Sequence, residues 1–438
     1  MFSSPTRHIL WYTVLSAIGL CSVPSAALPS QYTSSLITDR QAQGGTSSTQ
    51  VLARNGEGDF EFYRIVALAN LGDGVVLASY DGRPDGQDSP SPNSILQRRS
   101  TDGGESWGSP TYIAKGQPGD KAAGKQQYGF SDPSYIVDRN TGKVFNFHVF
   151  SKNQGFHNGA IGNDDTDLDV TSAEVSVSTD GGVSWSTDPK NQPELPPVAG
   201  KEPGALPLIT RAVKPTGKTI DGVKNVGGIA GMFATSGEGI QLKYGPHTGR
   251  LIQQFVGNIV QPDGKKEIQA YSVFSDDGGD TWQMGTPVGE AMDENKVVEL
   301  SNGDVMLNSR PNKAGYRKVA ISTDGGETYS TPKEDLQLPD PANNGHITRM
   351  YPDAKQGSKE AKILLFTNTA TKDSRDHGTI RHSCDDGKKW SEGRLFREAA
   401  TSYSTVTALG GDQFGIFFEG DGELVFAKVD KEWIGVDC

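Results

Sequence analysis

One predicted hairpin could bring a carboxylate and a guanidinium to the same place. The segment from Met292 to Arg310 reads MDENKVVELSNGDVMLNSR, with a turn signal at Ser301 to Asp304 between two apolar runs. Because a hairpin returns the chain to its starting end, Glu294 and Arg310 are expected to meet. The carboxylate could act as a base, and the guanidinium could hold an anion in a planar, bidentate fashion. Glu299 is the rival carboxylate, and its position in mid-strand favours a solvent-facing charge.

A second group of carboxylates lies in a segment that is rich in turn formers. Asp81, Asp85 and Asp88 border or occupy the stretch from Gly82 to Pro92. A mobile loop of this composition could carry an acid to a substrate. Taken alone, the same residues are equally typical of ordinary turns.

Five segments that share the pattern Ser-x-Asp-x-Gly-x-x-aromatic indicate how such residues are positioned. Four of the six tryptophans close one of these segments, so the repeats are not a coincidence. The Asp can accept hydrogen bonds from its own turn, and the Gly supplies a positive φ. The repeats are Ser100 to Trp107, Ser178 to Trp185, Ser275 to Trp282, Ser322 to Tyr329 and Ser383 to Trp390.

This repeat is the Asp-box of β-propellers, which joins the third and fourth strands of a blade and has a structural role. We therefore predict an all-β, six-bladed propeller of four-stranded antiparallel blades, with one blade lacking a repeat. The propeller is expected to span residues 28–438 as a single domain. The Pro- and Gly-rich stretch from Asp188 to Gly228 is predicted to be a loop insertion.

Composition narrows the possible partners and the compartment. A formal net charge of −12 disfavours nucleic acid, so an anionic ligand would need a local arginine cluster. Residues 1–27 combine an apolar run, Ile9 to Cys21, with small residues, as in a signal peptide, and the run is too short to span a bilayer as an anchor. A secreted, extracellular chain without membrane insertion is therefore expected. Its two remaining cysteines, Cys384 and Cys438, could form a disulfide or remain separate thiols. No metal-ligand spacing is present, and neither a metal nor a cofactor is expected.

The motifs along the chain resemble those of secreted bacterial exo-sialidases. Phe62-Tyr63-Arg64-Ile65 resembles the motif that opens the sialidase propeller, although Val66 stands where the family usually has Pro. The stretch from Leu77 to Gly104 resembles the segment that carries the family's acid/base. The resemblance covers essentially the whole mature chain. It implies Arg64 as the first arginine of a triad, Asp88 as general acid/base and Arg83 as a substrate-contacting arginine.

The resemblance implies roles for further residues in the same order as in the family. Asp132, in Gly129 to Ser134, would border the sugar's glycerol and N-acyl end. Val149 and Phe233 would wall the C5 substituent or would simply be core residues. The remaining roles are Glu294 as the base for the nucleophile, Arg310 and Arg375 as the second and third triad arginines, Tyr403 as the nucleophile and Glu419 as the partner of Arg64. Arg381 is the rival of Arg375, with a structural or solvent role expected.

The resemblance implies a retaining hydrolysis of terminal sialic acid from sialylated glycans or free sialosides, without a cofactor. A phenol suits a substrate whose own carboxylate would repel a carboxylate nucleophile. The three arginines should lower the pKa of the phenol. The alternatives are a glycan-binding or sorting propeller without catalysis, transfer to a sugar acceptor, and a preference for Kdn over N-acetylneuraminic acid. A monomer is expected.

Overall fold

The computed structural model describes residues 45–186 and 208–438. The predicted signal peptide and the first part of the predicted 188–228 insertion lie outside these residues. The described part of the insertion contains a short helix and a two-stranded hairpin. None of the helices in the described ranges is long and apolar enough to cross a membrane.

Strands dominate the described residues, and helices are confined to short connections. The helices are α1 (Thr210–Val213) and α2 (Lys431–Ile434), with 3-10 turns at Gly245–His247 and Glu360–Lys362. The strands are β1 (Ser47–Arg54), β2 (Phe62–Gly72), β3 (Val75–Arg83), β4 (Ser94–Ser100), β5 (Thr111–Ala114), β6 (Gly129–Val137), β7 (Val144–Ser151), β8 (Ser172–Ser178), β9 (Lys218–Ile220), β10 (Val223–Val226), β11 (Ile229–Ala234), β12 (Gly237–Glu238), β13 (Ile240–Gln241), β14 (Leu251–Val260), β15 (Lys266–Ser275), β16 (Gln283–Met284), β17 (Met292–Glu299), β18 (Val305–Pro311), β19 (Gly315–Ser322), β20 (Lys333–Asp340), β21 (His346–Arg349), β22 (Leu364–Thr369), β23 (Gly378–Ser383), β24 (Arg394–Arg397), β25 (Ser404–Gly410), β26 (Gln413–Glu419) and β27 (Glu423–Asp430).

These strands form six blades, which confirms the predicted propeller. Blade one is β2 to β5, blade four is β17 to β20 and blade five is β21 to β24. Blade two has the order β12-β6-β7-β8, in which the short β12 runs parallel to β6. Blade three has the order β11-β14-β15-β16, with β13 also paired to β14. Blade six has the order β1-β27-β26-β25, so the N-terminal strand closes the ring.

The hydrophobic core lies between the blades rather than at a single centre. β7 and β14 are buried along their whole length because neighbouring blades cover both of their faces. Phe147 of blade two, for example, packs edge-on against Phe255 of blade three. Polar residues of these strands are buried as well, and Asn146 and His148 of β7 hydrogen-bond to each other at 3.0 Å.

The five repeats occupy equivalent places in blades one to five. In blade one, Asp102 accepts hydrogen bonds from the Ser106 amide and hydroxyl, which closes the turn between β4 and β5. The ring of Trp107 then packs on Phe426 of blade six. Blade six lacks a repeat because its third and fourth strands, β27 and β1, come from opposite ends of the chain. The predicted blade without a repeat is therefore the blade that closes the ring.

The C-terminus is held to blade five by the predicted disulfide. Cys384 and Cys438 are bonded, with their Cα atoms 5.9 Å apart. Their sulfur atoms lie with His382 and Asp437 in the one group of metal-ligand residue types found among the described residues. The disulfide removes both thiolates from that group, so we assign no metal site to it.

Candidate active site

The first strands of several blades begin with an irregularity that turns side chains toward one mouth of the propeller. The pairing register shifts after Arg64 in β2, after Ser131 in β6 and after Met292 in β17. Ile65 and Asp132 have φ values of 63° and 65°, a conformation that costs a β-branched residue energy. Bulges of this kind re-aim side chains at the ends of strands. Arg64, Asp132 and Glu294 therefore come from three different blades to the same end.

Tyr403 and Glu294 form the centre of the site. The Tyr403 hydroxyl donates to Oε2 of Glu294 at 2.6 Å, and Arg310 Nη1 lies 2.9 Å from the same oxygen. Arg310 Nη1 also lies 3.3 Å from the Tyr403 hydroxyl. Tyr403 is 8% exposed, so the phenol is at the edge of the interior and within reach of the mouth. The predicted meeting of Glu294 with Arg310 is confirmed.

Burial controls the protonation of this pair. Burial raises the pKa of the Tyr403 phenol well above its ordinary value, against the opposing charges of Arg310, Arg64 and Arg375. Burial also raises the pKa of Glu294, while Arg310 opposes the rise. The arginines do lower the pKa of the phenol, but burial raises it by more. The prediction that the phenol pKa is lowered is therefore wrong. In the free protein the phenol keeps its proton.

Three guanidinium groups surround the phenol ring. Arg64 and Arg375 place their Cζ atoms 5.4 and 5.7 Å from the Tyr403 ring centroid, and Arg310 contacts its hydroxyl. Arg64 donates from Nε and Nη2 to Glu419 at 3.3 and 3.2 Å, and Glu419 also accepts from the Ile65 amide. The structure thus brings Arg64, Arg310, Arg375 and Glu419 together around Tyr403, as the resemblance implied.

Two groups that orient the arginines were missed by sequence reasoning. Asp293 accepts from Arg310 Nη2 at 2.8 Å, and the Ala342 carbonyl accepts from both Arg310 and Arg375, at 2.9 and 2.8 Å. Asp293 could have been found, because it precedes Glu294 in the strand that pairs with the strand of Arg310. No sequence signal marks the Ala342 carbonyl, because any residue provides one.

The loop with the candidate acid is tied down by Arg83. Arg83 Nη1 lies 2.6 Å from Asp88 Oδ1, and its Nε and Nη2 donate to Asp81 at 3.1 and 2.9 Å. Arg83 is 1% exposed, whereas the Asp88 side chain is 79% exposed. Direct contact between Arg83 and a substrate stays a prediction, and in this structure it would require Asp88 to move. What the geometry shows is that Arg83 holds Asp88.

The pKa shifts of the nearby carboxyls run in opposite directions. Partial burial raises the pKa of Asp88, but the charge and hydrogen bond of Arg83 outweigh it, and the net pKa is lowered. Burial raises the pKa of Asp81 to about 6, although Arg83 opposes the rise. Burial and the charge of Asp81 raise the pKa of Asp132 well above its ordinary value. Asp88 is therefore ionised at neutral pH, whereas Asp132 holds its proton to a higher pH than an ordinary aspartate.

The two candidate wall residues lie on neighbouring blades. Val149 is buried in β7 and pairs with Ser131, the residue before Asp132. Phe233 is half-buried in β11, with its ring 5.0 Å from that of Phe156. Their predicted contact with a sugar stays a prediction.

The two rival residues both have structural roles. Glu299 is 4% exposed and accepts from the Lys243 and Tyr244 amides and from Arg349. The prediction that Glu299 faces solvent is wrong, because the end of β17 is covered on both sides. Arg381 is buried in β23 and lies 3.4 Å from Asn368 Oδ1, as expected of a structural arginine.

A cavity of about 860 Å³ opens at the opposite end of the propeller from these residues. Its lining includes Gly72, Val137, Glu299 and Gly410. Each of these is the last residue of a strand, and the candidate site lies at the beginnings of the same strands. The cavity is therefore separate from the cluster around Tyr403.

Comparisons with known proteins agree with this arrangement. Residues 238–416 match the BNR repeat-like domain family. A sialidase of Micromonospora viridifaciens is 48% identical over 390 residues, which are 89% of this chain and 54% of the relative. A sialidase of Bacteroides fragilis is 27% identical over 372 residues, which are 83% of this chain and 61% of the relative. The chain thus spans less than two thirds of the length of these two relatives.

A solved structure of a Hadza microbial sialidase superposes with a TM-score of 0.71 at 23% identity, covering 88% of this chain and 69% of the other. This likeness supports the fold. Fold and repeats together define the class as a six-bladed β-propeller with BNR repeats. Within that class, the sequence is similar to that of sialidases over most of this chain.

Proposed function

We propose that this chain is an exo-α-sialidase, which hydrolyses terminal sialic acid from glycoconjugates with a tyrosine nucleophile. One observation carries the proposal: the Tyr403 phenol is hydrogen-bonded to Glu294 and surrounded by three guanidinium groups. Sialic acid bears a carboxylate on its anomeric carbon, and arginine pairs with carboxylates in a bidentate fashion. A sugar held by Arg64, Arg310 and Arg375 would have its anomeric carbon above the phenol.

The first half of the reaction forms a glycosyl-tyrosine bond. Glu294 accepts the phenol proton while the Tyr403 oxygen attacks the anomeric carbon, and Asp88 donates a proton to the departing aglycone oxygen. Because the resting phenol is protonated, the proton moves to Glu294 as the new bond forms. Tyr403 therefore gains the nucleophilicity of a phenolate only as its bond to the sugar forms.

The second half releases the sugar with its original configuration. Asp88, now ionised, takes a proton from a water molecule, whose oxygen attacks the anomeric carbon. The bond to Tyr403 breaks, and the phenolate recovers its proton from Glu294. Two displacements at one carbon give net retention.

The pKa of Asp88 must change when the substrate binds. The Arg83 contact keeps this carboxyl ionised in the free protein, whereas the first step needs it protonated. The aglycone would cover the exposed carboxyl, and removing water from a carboxylate raises its pKa. Asp132, whose pKa burial raises well above its ordinary value, is placed to hydrogen-bond a sugar hydroxyl or N-acyl group.

Two further properties belong to the proposal. The leading apolar segment and the disulfide support export to an oxidising compartment. The residues between Asp132 and Phe233 do not distinguish N-acetylneuraminic acid from Kdn. The proposal therefore includes both as candidates for the preferred sugar.

A panel of fluorogenic sialosides of both sugars, followed by proton NMR, tests this function. We expect release of the α-anomer first and its later conversion to the β-anomer. Release of the β-anomer would contradict the Tyr403 mechanism, transfer products would identify a transferase, and binding without turnover would identify a glycan-binding propeller.

A further inference from the structure

A buried lysine lies beneath the nucleophile pair. Lys296 follows Glu294 by two residues in β17, so both side chains project from the same face of the strand. Lys296 is 2% exposed, and its ammonium donates to Asn344 Oδ1 at 2.9 Å and to the Asn295 carbonyl at 3.3 Å. Both of these partners are neutral. Lys296 belongs to none of the ion pairs of the described residues, so no partner in direct contact cancels its charge.

The neighbouring strand is adapted to this side chain. A Cβ atom at Gly237 of β12 would lie 2.9 Å from Lys296 Cε and 3.3 Å from His346 Cδ2. The absence of a side chain at Gly237 thus leaves room for the lysine. The space beside Gly237 accommodates the long side chain of Lys296.

The titratable groups that interact with Lys296 are Glu294, Arg310, Arg317, Asp132 and His346. Arg317 is paired with Asp340, and Arg310 is paired with Asp293 and with Glu294 itself. Burial raises the pKa of Asp132 well above its ordinary value and lowers the pKa of His346 to about 3, so His346 is neutral at neutral pH. The charge of Lys296 therefore acts on Glu294 in addition to the charge of Arg310, and both lower the Glu294 pKa against the effect of burial.

We propose that Lys296 is a positioning residue whose positive charge keeps Glu294 ionised and ready to accept the Tyr403 proton. The proposal rests on the proposed role of Glu294 as the base. A buried carboxyl tends to take a proton from water, and a nearby positive charge opposes this. Arg310 already opposes protonation of Glu294 through its ion pair, and Lys296 adds a second positive charge. Without Lys296, Glu294 would take up a proton at a higher pH.

The protonation range of the lysine fits this task. Burial lowers the pKa of Lys296 to about 7. The ammonium is therefore present below neutral pH, where a carboxylate is more readily protonated. Above neutral pH the ammonium loses its charge, but protonation of Glu294 is then also disfavoured by the higher pH.

The test is the acidic limb of the pH profile of kcat/KM on a sialoside, which reports the free enzyme. Lys296→Met should move this limb upward by about one pH unit, which is about a tenfold loss at a pH below the wild-type midpoint. Near pH 8 the two enzymes should converge. A purely structural lysine would lower activity at every pH and leave the midpoint in place.

Lys214→Met is the matched control. Lys214 is also buried, donates to the Ala160 and Thr171 carbonyls, and has its pKa lowered by burial to about 7. It lies beside α1, away from Tyr403. Its removal should lower the melting temperature without moving the acidic limb.

A second variant decides the matter if Lys296→Met fails to fold. Asn344→Asp keeps an acceptor for the ammonium and places a carboxylate there that cancels its charge, so the limb should again move upward. An unmoved limb in a folded variant would overturn the role of Lys296. A wild-type chain without sialidase activity would instead overturn the proposed function, which separates the two failures.

Discussion

At the scale of single residues, the site consists of largely buried side chains that ion pairs hold in place. Tyr403 and Glu294 share one proton, and Arg310 contacts both of them. Glu419 and Asp293 each bind one guanidinium, so two of the three arginines are preorganised before any substrate arrives. Preorganised charge is a large source of rate acceleration because it needs no rearrangement during the reaction.

Replacing Tyr403 by Phe should reduce kcat on a fluorogenic sialoside by about 1,000-fold or more, since the nucleophile is lost. The melting temperature should change little, because only one hydroxyl is removed. Tyr112→Phe, which removes a hydroxyl bound to Asp59 in blade one, is the control and should keep full activity. Wild-type turnover by the Tyr403 variant would exclude the mechanism.

Replacing Asp293 by Asn should have two measurable effects. Arg310 loses an ion pair, so KM should rise several-fold. The Asp293 charge also raises the pKa of Glu294, so its removal should move the acidic limb of kcat/KM to lower pH. This shift is opposite to the one expected for Lys296→Met. Asp280→Asn, which breaks a surface pair with Lys143, should change neither quantity.

At the scale of elements, the site is assembled from the beginnings of first strands, the ends of β18 and β26, and the β3–β4 and β22–β23 loops. Bulges in β2, β6 and β17 direct side chains to the mouth, and the β17–β18 hairpin pairs Glu294 with Arg310. The acid is carried differently. Asp88 lies in the connection between β3 and β4, where its ion-pair partner is Arg83. Its exposed side chain, held by one ion pair, can adjust when a substrate enters.

Replacing Asp88 by Asn should therefore discriminate between leaving groups. Release of an alkyl or sugar alcohol needs protonation, so activity on such sialosides should fall by about 100-fold or more. A nitrophenolate leaves without being protonated, so activity on a nitrophenyl sialoside should fall far less. Equal losses on both substrates would argue against an acid role and for a role of Asp88 in holding the loop.

At the scale of the whole molecule, the ring is closed twice near its ends. β1 completes blade six, and the disulfide ties Cys438 to blade five. The opposite mouth contains the large cavity, where Glu238 of β12 lies with burial raising its pKa to about 8. These features concern stability rather than the cluster at Tyr403.

Removing the disulfide with Cys384→Ser and Cys438→Ser should lower the melting temperature while leaving activity at 25 °C intact. The bridge joins residues 54 apart, and the loss of chain entropy in the unfolded state predicts about 4 kcal/mol of stabilisation. Calorimetry of the double variant against the parent measures this difference. An unchanged melting temperature would show that blade five holds the C-terminus without the bond.

Glu238→Gln should stabilise the protein at alkaline pH. Because the folded pKa lies above the unfolded value of 4.5, the folded protein retains a proton that the unfolded chain loses, and stability falls as pH rises through about 4.5 to 8. The gain in melting temperature from the variant should be larger at pH 8.5 than at pH 4. A gain independent of pH would contradict the assignment.

The sequence by itself determined the features that depend on short spacing. Four of the five repeats mark the turns between the third and fourth strands of their blades, the fifth follows β8 of blade two, and hairpin geometry brings Glu294 to the same end as Arg310. Tertiary structure decided what depends on contacts between blades: the burial of Arg83 and Glu299, the two arginines on the Ala342 carbonyl, and the raised pKa of Tyr403. A turn is specified by its own few residues, whereas burial and electrostatic environment arise only when distant strands pack together. For that reason the contacts of Asp293 with Arg310 and of Lys296 with Asn344 are visible only in the folded ring, although both residues stand in the same segment as Glu294.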